Sequence, residues 1–107
     1  MTTHLSRPLV TLTRACAHLR VSPGEDDAAI NDLISAASDI VIDYLKKPAP
    51  EEWKVETDST PSAVPGPVRS AVLLVLGHLY ADREGGGSPI GPAVESLLMR
   101  FRDPAVA

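Results

Sequence analysis

His78 and Asp82 stand four residues apart, a spacing that sets an imidazole beside a carboxylate on one side of a helix. Such a pair can share a metal ion or orient the ring for proton transfer. No second histidine or cysteine accompanies them at ligand spacing, and zinc takes at least three protein ligands, so the pair reads as a polar contact on a helix surface. Cys16 and His18 lie two residues apart and point in different directions on a helix. Cys16 falls on an apolar stripe and reads as a small core residue, His18 as a partly exposed one. His4 carries no motif. Ser35, Ser38 and Ser70 have no nucleophile elbow around them, and the run Gly85–Gly87 leads into a proline-rich turn rather than a phosphate-binding helix. Asp26 and Asp27 suit the first turn of a helix, where carboxylates meet the positive end of the macrodipole. These residues form no catalytic constellation, no metal site and no cofactor site. The expectation is a protein that is not an enzyme.

A second group of residues could act by contact. Glu25, Asp32, Asp39 and Asp43 form a narrow acidic stripe on the side of a helix opposite its apolar arc. The simplest reading is a solvated face. The sharper one is a surface that must not adhere to a polyanion, since exposed like charges repel by up to about 1 kcal/mol per close pair in water. Trp53, the single tryptophan, lies in a charged loop, where it either folds back onto the core or anchors an interface. Ile42, Leu73, Leu74, Tyr80, Arg100 and Arg102 are the further candidates for a subunit or partner contact, the two arginines being placed to meet an acidic surface or to complete a helix C-terminus.

The elements that position these groups are helical. Thr11 can cap a helix over 12–20, with Leu12, Ala15, Cys16 and Leu19 as its stripe. Ser22-Pro23-Gly24-Glu25 has the composition of a capping box, which starts a second helix that runs to about Lys46 and stops before Pro48. Ile30, Leu33, Ile34, Ala37, Ile40, Val41, Tyr44 and Leu45 fall within an arc of about 140°, and Ile42 is the one large aliphatic outside it. Residues 48–64 are loop-like, with at most a minor hairpin around Trp53 and Val55. Pro65-Gly66-Pro67 launches a third helix over 67–83, ended by the glycine run. From Ala71 to Gly77 it has no side chain that ionises or donates a hydrogen bond, and at about 100° per residue those positions cover its whole circumference. A helix apolar all round must be covered all round, and a small chain has little material to do that alone. Pro92 opens a last short helix whose stripe is Val94, Leu97, Leu98 and Phe101. The fold class expected is all-α: two long helices with short N- and C-terminal ones, in a single domain over 1–107. Residues 1–10 read as an arm, 48–64 as a loop or arm, and 103–107 as a tail.

The totals exclude several classes. Ten lysines and arginines against fourteen acids leave a formal charge of −4, so the chain does not read as a nucleic-acid binder. One cysteine excludes an internal disulfide and suits a reducing compartment. The first ten residues hold no apolar signal segment, and no apolar run approaches the roughly 20 residues that span a bilayer. The expectation is a soluble protein made in the cytoplasm, without membrane contact.

Four segments together carry a resemblance. Val10–Val21 (VTLTRACAHLRV) resembles the opening "TLxxAxxHLR" segment of the head–tail connector proteins of tailed bacteriophages, also called head-completion or adaptor proteins. The stretch from Asp26 to Leu45 resembles that family's second helix. Val64–Tyr80, with Arg83 and Glu84 behind it, is similar to its "vPxxvkxAillLvaHwYxnRE" segment, and Val94–Arg102 to its closing "vexLLxxyR". Thr13 and Arg14 depart from the pattern where acids are common, Leu79 where an aromatic is frequent, and 48–64 has no counterpart in it. The resemblance implies a helical virion protein that forms a ring under the portal, lets DNA pass without sequence-specific binding, and offers a surface to the next head-completion or tail protein. The competing class is a small helical interaction module, regulatory or antitoxin-like, acting as a monomer or dimer.

Overall fold

The structure, a computed structural model, describes residues 8–81 and 89–102. Within them the chain forms four helices and no strand: α1 (Leu12–Leu19), α2 (Asp27–Leu45), α3 (Gly66–Ala81) and α4 (Pro92–Leu98). The all-α expectation holds, with two long helices flanked by two short ones.

Each boundary has a local cause. Thr11 is extended and its hydroxyl accepts the Arg14 N–H at 3.2 Å, capping α1 as its sequence position predicts. α1 ends on Arg20 in the left-handed region, at φ 61°, with the Val21 N–H returning to the Cys16 carbonyl at 3.0 Å. The expected capping box at 22–25 does not form. Gly24 takes φ +96°, which no α-helix admits, and its N–H donates to Asp27 Oδ1 at 2.8 Å. Residues 22–25 therefore make a turn, and α2 starts at Asp27. It closes on Lys46, also left-handed at φ 64°, with Pro48 barring any continuation. α3 starts within a residue of Pro67, as predicted. The far end of the predicted helix, with Asp82 and Arg83, lies outside the described residues, as do Glu84, Gly85–Gly87, His4 and the tail 103–107. Gly91 is extended before α4, and Pro92 takes its first turn.

The core is built chiefly between α2 and α3, with α4 packed on α3 and α1 against both. Ile30, Ile34, Ala37, Val41 and Leu45 of α2 meet Val68, Ala71, Val72, Val75 and Leu76 of α3, all buried. Each large aliphatic side chain so buried contributes on the order of 2 kcal/mol. Leu9 and Val10 belong to this core as well, although they fall in the stretch the sequence presents as an arm. The Leu9 N–H donates to Ser38 Oγ at 3.1 Å. That hydroxyl sits within α2, facing the core, and fixes the chain as it enters α1.

Loop 48–64 is irregular but tied down. Thr57 N–H donates to the Thr60 carbonyl and Ala63 N–H to the Lys54 carbonyl, each at 2.9 Å, giving a hairpin-like path with no β-ladder. Trp53 is buried, and its ring meets Phe101 edge-on, with centroids 6.3 Å apart and planes at 82°.

Candidate interaction surfaces

The outer side of α3 is the first surface. Its packing leaves Pro67, Ser70, Leu74 and Ala81 exposed along one line, with His78 half-exposed among them. Leu74 keeps 41% of its area in solvent. The line carries no aspartate, glutamate, lysine or arginine. Gly77 flanks it, and there α1 comes close: a Cβ on Gly77 would lie 3.5 Å from Nε2 of the exposed His18. Leu73 and Tyr80 are half-buried against the core, and Val75 and Leu76 are fully enclosed. The chain thus covers its apolar rod on most sides, and Leu74 is the large apolar residue left facing out.

The second surface is the acidic side of α2. Asp32, Asp39 and Asp43 are exposed on one face of the helix. Glu25 is exposed too, but in the turn before α2, because the helix starts later than its sequence suggests. Ile42 is half-buried and packs on the core.

The third surface is an open groove of about 420 Å³ beside the last two turns of α2. Ile40, Tyr44 and Ile90 give it apolar walls. Asp39 and Asp43 stand on its rim, with Lys46 and Arg102 completing the lining. The Arg102 guanidinium lies over the Tyr44 ring, 4.8 Å from its centroid, a cation–π geometry. Its Nε is shielded from solvent and has no hydrogen-bond acceptor among the described residues. Arg100 and Met99 are exposed just before it, Met99 with 67% of its area in solvent.

A latch connects loop and body. Glu56 Oε2 accepts from the Thr11 hydroxyl at 2.9 Å and from Arg14 Nε at 3.2 Å. Burial alone would raise the Glu56 carboxyl. Its own backbone N–H, the Thr11 hydroxyl and the Arg14 charge outweigh that and hold it below its ordinary value.

Of the residues singled out for contact in the sequence, Leu74 and Arg100 lie open and Arg102 lines the groove, whereas Trp53 is spent on closing the core. Sequence reasoning missed the groove and the latch. Tyr44 and Ile40 were legible only as part of α2's apolar arc, and Glu56 only as one acid in a patch. Their partners come from distant segments, Arg102 and Arg14, and no local pattern announces such pairs. Cys16 is buried. Among the described residues no three His, Cys, Asp or Glu side chains are grouped as a metal site, and no helix is long and apolar enough to cross a membrane.

The described surface thus carries an uncharged helix face, an acidic ridge and a groove lined by both charged and apolar residues. The family profile of the phage gp6-like head–tail connector proteins matches residues 9–91. The chain belongs to that family, and so to the structural proteins that join phage head and tail. No curated protein and no solved structure matches it.

Proposed function

We propose that copies of this chain assemble side by side into a closed ring beneath the portal of a filled capsid, extend the DNA channel, and present a surface to the next head-completion or tail protein. The observation that carries this reading is the outer line of α3. In a member of a connector family, a helix face free of formal charges and centred on the exposed Leu74 suits a subunit contact. At about 25 cal/mol per Å² of apolar surface, even a modest contact gains strength when repeated around a closed ring. Exposed carboxylates at Glu25, Asp32, Asp39 and Asp43 would give such a channel a wall that does not hold DNA. DNA would then pass without sequence-specific binding. The subunit would be made in the host cytoplasm and end in the virion at the head–tail joint, with no membrane partner and no cofactor.

The test is to mix the purified chain with portal protein and follow mass by light scattering and shape by electron microscopy. Closed rings on the portal are expected, whether or not the chain alone is a monomer. A chain that remains separate from the portal at all concentrations overturns the reading.

A further inference from the structure

Among the described residues two large apolar side chains lie open to solvent, Leu74 on α3 and Met99 just past α4. Each has a polar group one helical turn away. Gly77 follows Leu74 by three residues, and the tip of the exposed His18 lies beside it, with Nε2 3.5 Å from where a Cβ would stand. Glu95 precedes Met99 by four residues and is exposed too, its carbonyl accepting the Met99 N–H at 3.0 Å. Residues three or four apart on a helix surface lie about 5–6 Å from each other. The two patches therefore match in spacing and in chemistry: an aliphatic side chain and an imidazole on one, a thioether and a carboxylate on the other. A closed ring of more than two copies, moreover, cannot be built from one self-complementary patch. It needs two different surfaces on each subunit, one for each neighbour.

We propose that the α3 patch of one copy receives the α4 patch of the next, Met99 on Leu74 and Glu95 on His18. The pairing rests on the ring reading and names the surface that covers Leu74, which that reading leaves open. The unbranched thioether adapts to the gap that Gly77 leaves beside Leu74. The imidazole donates a hydrogen bond to the carboxylate whether it is neutral or protonated, and residues 8–21 hold no aspartate or glutamate to repel it. The pairing also sets a direction. Glu95 reaches His18 only when α4 of one copy runs antiparallel to α3 of the other. The parallel arrangement would set Glu95 beside Ser70, one turn before Leu74, in place of the imidazole.

The test uses the full chain on portal protein, with oxidised glutathione as the oxidant. Leu74→Cys combined with Met99→Cys is expected to give a ladder of disulfide-linked oligomers. A mixture of the two single variants should give linked dimers, and neither single variant alone should link. The native Cys16 is buried, and the parent protein controls for it. Asp32→Cys with Met99→Cys is the control position and should stay unlinked. Independently, Glu95→Lys should raise the concentration needed for ring assembly on the order of fivefold, and adding His18→Glu should restore it. This exchange of charges decides the matter by itself where the cysteines impair assembly. Thermal melts verify that each variant is folded. Rings that form without a Leu74–Met99 link, Leu74→Cys copies that link to one another, or no restoration by His18→Glu overturns the pairing and leaves the ring standing. No rings from the parent chain overturns the connector reading, and the pairing with it.

Discussion

The backbone N–H of Leu9 donates to the hydroxyl of Ser38 at 3.1 Å, across a sequence separation of 29 residues. Both groups are buried, Leu9 beside Val10 in the core and Ser38 on the inner side of α2. This one bond anchors the segment that enters α1. Ser38→Ala leaves the N–H buried without an acceptor, at a cost of about 1–3 kcal/mol. Calorimetry should show a melting temperature lower by roughly 4 °C or more. Hydrogen exchange at the Leu9 amide should rise more than at amides in the middle of α3. An unchanged Leu9 amide would show that the bond does not hold the segment.

The Glu56 latch predicts a pH dependence. Its carboxyl is held below the ordinary value of 4.5 by its own N–H, Thr11 and Arg14 acting against burial. A group with a depressed folded-state value contributes stability that is fully present above its unfolded-state value and is lost as the pH falls through the folded one. Glu56→Gln should therefore be less stable than the parent at neutral pH, by under about 1 kcal/mol because the pair is part-exposed. The difference should shrink below about pH 4.5 and vanish once Glu56 is protonated in the fold. Denaturant midpoints of the two proteins across that range decide the matter, and a constant gap would rule the latch out.

Leu74 and Val75 are neighbours in sequence with opposite fates. Val75→Asp buries a carboxylate with no partner and should unfold the chain. Leu74→Asp changes a half-open site and should alter stability by only about 0.5 kcal/mol. It should nonetheless abolish rings on the portal. Circular dichroism with light scattering reads both outcomes, and intact rings from Leu74→Asp would remove α3 from the subunit contact.

Gly77 lies inside α3, where glycine is unfavourable by roughly 1 kcal/mol relative to alanine. A Cβ there would make an ordinary contact with the tip of His18, 3.5 Å away. Gly77→Ala should raise the melting temperature of the free chain by a few degrees. A fall would mean that the approach of α1 to α3 tolerates no side chain at that point.

The helices were legible because their causes are local. Thr11 before an apolar stripe, Pro65-Gly66-Pro67 before a long apolar run, and Pro92 at a first turn all act within a few residues. The start of α2 was misread because Ser22, Pro23 and Glu25 fit a capping box, while Gly24 between them takes a positive φ that its sequence does not announce. Leu9 and Val10 look like an arm because three or four residues reveal no period, and their burial depends on what α2 and α3 leave open. The apolar rod was legible too. How much of it the chain covers for itself was not, since Leu74 and Val75 are both aliphatic and it is the direction each faces that leaves one open and the other enclosed. Arg102 over Tyr44 and Glu56 on Arg14 lie further still from local rules, being pairings of segments that meet only in the folded chain.

Residues 53–56 touch both ends of the described chain. Trp53 rests on Phe101, just past α4, while Glu56 grips Thr11 and Arg14 at the head of α1. One short segment thus ties the loop to the head of the described chain and to its tail at once.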